Sequence, residues 1–148
     1  MWVDADAAPR DVKEIVYRAA RRLEIRTVLV ANRRLWTPPG NPHVSTEWVH
    51  GGPDVADSHI AEHASEGDLA ITADIPLAAT LVEKGVLVLD HRGEVYTEAN
   101  VRERLSVRDF MASLRDAGID TGGPGSYGPG DKRAFANALD RTLTRILD

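Results

Sequence analysis

Two spacings of apolar residues alternate along the chain. Residues 1–3 (MWV) form a short apolar run. Val12, Ile15, Val16, Ala19, Ala20 and Leu23 then follow at i, i+3, i+4, i+7, i+8 and i+11, the stripe of a helix packed on one face. Pro9 suits the first turn of that helix, where its missing N–H is no loss. Residues 27–31 (TVLVA) are a continuous β-branched and apolar run, the pattern of a parallel strand covered on both faces. A strand–helix–strand unit is predicted for the first third.

The alternation continues. After a Pro-rich loop at residues 32–42, residues 43–50 carry a weak strand pattern and a helix is expected over about residues 55–65. Residues 68–72 (DLAIT) and 86–90 (VLVLD) read as buried strands. Between them "IPLAATLVEKG" reads as a short helix with Gly85 at its C′ position. Ser106 with Asp109 resembles a capping box opening a helix that has Val107, Phe110, Met111 and Leu114 on one face, closed by Gly118. Residues 121–131 are loop by composition. A last helix carries Phe135, Ala138, Leu139, Thr142 and Ile146 at helical spacing. Strands alternating with helices predict one domain, residues 1–148, built as a three-layer α/β/α arrangement with a mainly parallel sheet.

Composition narrows the chemistry. The 148 residues include no cysteine, so disulfides, thiolate catalysis and sulfur-bound zinc are excluded, and any metal must be held by oxygen or imidazole. With 18 Lys+Arg against 23 Asp+Glu the net charge is −5, which argues against coating nucleic acid by general basicity but permits a local basic patch. No apolar run is long enough to span a bilayer and no signal-peptide pattern opens the chain, so a cytoplasmic location is expected.

Acids fall where such a sheet places ligands. The crevice of an open parallel sheet lies beyond the carboxyl ends of its strands, where strand order reverses. Asp4 and Asp6 follow the first strand, Asp74 follows residues 69–72, and Asp54 and Asp57 share a helix face at i, i+3 spacing. If the first strand and the "LAIT" strand are neighbours, all five carboxylates converge. Each alone has a simpler reading as a helix N-cap: Asp4 or Asp6 ahead of Pro9, Asp54 or Asp57 on their own helix, Asp74 before Pro76. Capping does not account for the recurrence. Clustered acids repel unless a proton or cation joins them, and oxygen-only ligation favours Mg²⁺ or Mn²⁺.

The segments "WVDADAAP", "VLVAN", "DVADSHIAE", "GDLAITADIPLAA", "RGEVYT", "RERLSVRDFMASLRDAGIDTGGP" and "RAFANAL" resemble the YaiI/YqxD-type bacterial proteins, which are grouped with PIN-like nuclease domains. The resemblance runs from Trp2 nearly to the C-terminus. It departs at Ala8, where the family usually has cysteine, so no thiol role is open here. What the resemblance implies is a metal-dependent nuclease whose acids match Asp4, Asp57 and Asp74, with Asp6 and Asp54 as further candidates.

Other features set the alternatives. "DAD" also resembles the opening of haloacid-dehalogenase-type phosphatases, with Asp4 as nucleophile and Asp6 as general acid, but Lys84 is the only mid-chain lysine and sits in a helix. Arg33 and Arg34 lie on the rim beyond the second strand as a candidate phosphate clamp, with a solvated loop as the simpler reading. Asn32 beside them is a candidate for orienting water or binding substrate. Trp36 and Trp48 are candidates for base stacking, although aromatics near strands usually pack. His59 and His63, at i, i+4, lack a third matching ligand and read as polar-face residues. Residues 122–130 lack the GK[ST] ending of a phosphate loop and read as a flexible connector, with a lid as the lesser alternative.

The expectation is therefore a PIN-like hydrolase of phosphodiesters in single-stranded RNA or DNA. Asp4, Asp57 and Asp74 are its catalytic and metal-binding acids, and Asp6 and Asp54 support them. Two alternatives stand beside it: a phosphatase using Asp4 and Asp6, and a non-catalytic module that binds a cation and a protein partner.

Overall fold

The computed structural model describes residues 1–123 and 125–148. Among the described residues the chain forms β1 (Trp2–Asp4), α1 (Arg10–Leu23), β2 (Thr27–Ala31), β3 (Val44–Trp48), α2 (Pro53–His63) and β4 (Leu69–Ile71). It continues with α3 (Ile75–Glu83), β5 (Leu87–Leu89), β6 (Val95–Tyr96), α4 (Glu98–Asp116) and α5 (Pro129–Leu147). The strands make one six-stranded sheet in the order β3-β2-β1-β4-β5-β6, parallel throughout except for β6, which pairs antiparallel on β5. The fold is mixed α/β with a mostly parallel sheet.

Successive strand residues point to opposite faces, and here both faces are covered. Val3, Leu29, Ala31, Leu69 and Ile71 join a core with Val12 and Val16 of α1 and Phe135 and Leu139 of α5. The intervening residues Val28, Val30 and Ala70 join a second core with Ile60 of α2, Leu77 and Leu81 of α3 and Val101 of α4. Hence every residue of β2 is buried, and its sequence is apolar or β-branched at all positions rather than alternating. Phe135 is fully buried, and truncating such a side chain to alanine costs about 3–5 kcal/mol.

Two local readings of the sequence need correction, and one strand goes unannounced. Val95–Tyr96 form β6, too short to announce itself. Helix α4 begins at Glu98, not at Ser106. Thr97 Oγ1 accepts from Asn100 N–H at 3.2 Å and Asn100 Oδ1 accepts from Thr97 N–H at 2.7 Å, so the capping box lies nine residues upstream of the one expected. The face expected to be buried is largely in solvent, with Val107 47% and Phe110 61% exposed. Length explains this: 19 residues of α4 span about 28 Å against about 13 Å for the nine of α3, on which α4 packs, so only its first turns find a partner.

The end of α4 falls as expected, and the start of α5 does not. Gly118 closes α4 at φ +84°, its N–H reaching Arg115 O and that of Ile119 reaching Leu114 O, both at 2.9 Å. Helix α5 starts at Pro129, inside the stretch expected to be loop, and Leu143 rather than Ile146 completes its buried stripe. Arg92 ties the preceding segment down, donating to Gly125 O and, at 3.0 Å, to Asp131 Oδ2. Of residues 122–130, Pro124 lies outside the described residues. Among the described residues no helix is long and apolar enough to cross a membrane.

Candidate functional site

The first strand and the "LAIT" strand are neighbours. β1 lies between β2 and β4, with Val3 opposite Ile71 on one side and Asp4 opposite Val30 on the other. The chain leaves β1 to build β2 on one side, while β4 occupies the other. The crevice beyond the carboxyl ends of β1 and β4 is the sheet's switch point.

Thr72 organises that crevice. It is buried just after β4, where its N–H donates to Leu89 O at 3.1 Å. Its hydroxyl donates to Asp4 Oδ2 at 2.8 Å and accepts from Asp74 N–H at 3.0 Å. Asp74 in turn caps α3, its Oδ1 accepting from Leu77 N–H at 2.8 Å, so the simple capping role expected for this residue holds. It is not the whole role, because Asp74 also lies beside Asp57 of α2 and helps to raise its pKa. The other acids are not caps: Pro9 and Gly52 occupy the N-cap positions of α1 and α2.

The acids act on one another. Burial pushes the Asp57 carboxyl up to about 7, aided by the charges of Asp74 and Asp4, the hydrogen bond to Asp74 and the charge of Asp54. Asp4 is also raised, chiefly by burial and then by Asp74 and Asp6, while the Thr72 hydrogen bond opposes the rise. Asp4, Asp57 and Asp74 thus form one electrostatic unit, flanked by Asp6 and Asp54. Among the described residues, no group of three or more carboxylate or imidazole side chains stands arranged as a ready-made metal site. What the side chains form instead is a pair of neighbouring carboxyls, Asp57 and Asp74, beside a third, half-buried acid, Asp4.

The rim on the β2 side is basic and aromatic. Asn32 N–H donates to Asp6 Oδ2 at 2.8 Å, and Arg33 Nε lies 3.6 Å from Asp6 Oδ1. Asn32 Oδ1 is buried without a partner among the described residues, an acceptor aimed at nothing the protein supplies. Trp48 Nε1 donates to Asn32 O at 3.2 Å and the Arg34 guanidinium lies over the Trp48 ring at 5.4 Å. Arg33 and Arg34 are both exposed, so they are solvated, but Arg33 is held against a site acid. Trp36 does not pack, being 75% exposed.

Two residues at the site escaped sequence reasoning. Thr72 was one hydroxyl at the end of an apolar run. Arg108, carried by α4, lines a cavity of about 370 Å³ together with Asp54, Asp57, Ser58, Asp74 and Thr80. Only the packing of α4 on α3 brings it there. Lys84 donates to Ala61 O at 2.9 Å and to Glu62 O at 3.1 Å, which fastens the end of α3 to α2. His59 and His63 stack at 4.1 Å beside Trp2, on the helix surface.

Residues 2–145 match a family model described as an uncharacterized bacterial group, the YaiI/YqxD family. A UPF0178 protein of Myxococcus xanthus is 57% identical over 147 residues, covering 99% of this chain and 95% of its own length. A UPF0178 protein of Dechloromonas aromatica is 53% identical over 146 residues, covering 99% and 97%. One from Bordetella petrii is 57% identical over 143 residues, covering 97% and 95%. No solved structure matches.

Proposed function

This chain belongs to the YaiI/YqxD family, and we propose that its aspartate cluster is the active centre of a metal-dependent phosphodiester hydrolase acting on single-stranded RNA or DNA. The frame would be PIN-like and three-layered, which the two cores on opposite faces of the sheet support. One observation carries the proposal. At the switch point, Asp57 is partly buried beside Asp74 and Asp4, and burial together with their charges pushes its carboxyl up to about 7. Acids gathered against their own repulsion at a ligand crevice call for a cation.

The donor chemistry fits Mg²⁺ or Mn²⁺. Such ions take hard oxygen ligands, and Mg²⁺ keeps several waters while held by one or two carboxylates, so a closed three-ligand cage is not required. Asp4, Asp57 and Asp74 would hold the ion, with Asp6 and Asp54 around them. When bound, it lowers the pKa of a water and offsets charge on the phosphate oxygens.

The chain's own residues do the rest. Thr72 keeps Asp4 oriented and offsets part of the rise that burial imposes on its pKa. Asp57 exchanges its proton near neutral pH, so the cluster gains a full charge as the pH passes about 7. Arg108 faces the acids across the cavity and presents a guanidinium fork to a phosphate oxygen. Asn32, with its free carbonyl oxygen, would accept from a hydroxyl or water on the β2 side, and Arg33 and Arg34 would contact phosphates there.

The test is cleavage of labelled single-stranded RNA and DNA with and without Mg²⁺ or Mn²⁺, alongside a phosphomonoester. Metal-dependent cleavage that disappears in Asp4→Asn is expected. Turnover of the phosphomonoester alone would favour the phosphatase alternative. Absence of both, with a metal-induced rise in Tm, would leave a cation-binding module.

A further inference from the structure

Beside the aspartate cluster lies a second concavity, a groove of about 720 Å³ between α1 and the loop that follows β2. Its cations are Arg10, Lys13 and Arg18 from α1 and Arg33 and Arg34 from the loop, and its one carboxylate, Glu14, is held by Arg10 at 3.2 Å. In a chain of net charge −5 this concentration is not an average sample of the surface. Arg10, Lys13, Tyr17 and Arg18 recur at i, i+3, i+7 and i+8, a polar face of α1 away from the stripe that packs on the sheet.

The groove is built and is continuous with the site. Arg33, which lines the groove with Lys13, lies 3.6 Å from Asp6 Oδ1, so the groove meets the acids at that point. Cations pressed together and partly desolvated want an anion, as the crowded acids next door want a cation. The groove's wall also carries Trp36, three-quarters exposed. Its neighbours are anchored: Leu35 packs against the core, and Pro38 and Pro39 have fixed φ. An indole face held open by a stiff loop, among guanidinium groups, matches an unpaired base followed by its phosphates.

We infer that this groove binds single-stranded nucleic acid, with Lys13, Arg18, Arg33 and Arg34 on successive phosphates and Trp36 stacked on a base, and leads the strand to the aspartate cluster. The inference deepens the phosphodiesterase reading and rests on it for the direction of the strand. Paired bases stack on each other and offer no face to Trp36, so a duplex gains only the phosphate contacts. Single strands are preferred for that reason.

The test measures binding apart from cleavage. Fluorescein-labelled oligo-dT and oligo-U of roughly 15 nucleotides, near the upper end of known single-strand site sizes, are titrated in EDTA at several salt concentrations and followed by anisotropy. The double variant Lys13→Ala/Arg18→Ala should lower the salt slope by about 0.7 for each phosphate it no longer neutralises and weaken binding about 10-fold or more. Trp36→Ala should weaken binding about 10-fold at unchanged slope, and Trp36→Phe should retain most of the affinity. Arg145→Ala, on the far end of α5, should leave both unchanged. Circular dichroism confirms that each variant is folded. Unchanged affinity and slope in the double variant, or equal affinity for duplex and single strand, would overturn the inference. Binding as described with no metal-dependent cleavage would fault the catalytic reading and leave the groove standing. Cleavage that survives while the groove variants bind like the wild type would do the reverse.

Discussion

Thr72 and Asp4, 68 residues apart in sequence, are joined by a 2.8 Å hydrogen bond from the threonine hydroxyl to Oδ2 of the aspartate. The same hydroxyl accepts from Asp74 N–H at 3.0 Å, so one buried oxygen sets the positions of two site acids. Thr72→Val keeps the shape and removes both bonds. It should cost about 1–3 kcal/mol of stability, because a backbone N–H and a carboxylate lose a buried partner. Cleavage should fall as well, whereas Thr72→Ser should restore most of both. Thermal melts and cleavage rates on the two variants decide it; a valine variant as active as the serine one would remove the bridge from the mechanism.

Asp57 predicts how the metal-free protein responds to pH. Its folded-state pKa of about 7 lies above the ordinary carboxyl value of roughly 3.9. Between the two, the folded chain holds a proton that the unfolded chain has released. This contribution to stability therefore declines as pH rises through the window and is gone above about 7. Asp57→Asn removes the dependence and keeps a donor for Asp74. In EDTA the variant should melt above the wild type at pH 8, and the gap should close toward pH 4. A gap of the same size at both pH values would show that the Asp57 carboxyl is not raised in the folded chain.

Arg108 faces the acidic cavity from α4 while its nearest partner, Asp109, lies 3.3 Å away at the surface. Arg108→Ala should leave stability within about 1 kcal/mol of wild type, since exposed ion pairs contribute little. Without its charge-assisted bond to phosphate, kcat/KM should fall about 10- to 100-fold. Wild-type cleavage by the variant would mean that its charge serves only the helix surface.

Gly93 sits at φ +90° in the turn between β5 and β6, and a Cβ there would lie 2.6 Å from Ala134 O of α5. Gly93→Ala combines left-handed backbone strain with a clash against main chain that cannot swing aside. A loss of about 2–4 kcal/mol is expected, or roughly 10 °C in Tm for a chain of this size. Differential scanning calorimetry reads it directly. A variant as stable as the wild type would show that α5 can shift away from the turn.

The parts of the fold set by local pattern were legible. The uninterrupted apolar runs of β2 and β4 and the stripe of α1 are strong signals, and the acids at strand ends could be placed in one crevice once β1 and β4 were assumed to pair. Ser106 and Asp109 misled because they carry the same chemistry as Thr97 and Asn100, and only tertiary packing chooses between two possible starts. The five acids were named from the sequence, but Asp74 turned out to serve also as the cap of α3. Thr72 and Arg108 were not named, since a lone hydroxyl and a lone cation have no spacing to betray them. The cations of α1 did leave a trace, the 10, 13, 18 spacing opposite the apolar stripe, which pattern reading aimed at the core passes over.

The central place of β1 also has a kinetic meaning. Its pairing with β2 is bridged by a single helix, whereas its pairing with β4 must close a span of 68 residues before any stabilisation returns. Non-local parallel pairings of this kind form slowly. A chain that has built only its first strand–helix–strand unit carries Asp4 and Asp6 on a bare edge, apart from Asp57 and Asp74. The mutual repulsion of the acids is therefore met only when β4 and α2 come to lie against β1. A refolding chain should recover its helical signal well before it recovers a carboxyl that titrates near neutrality.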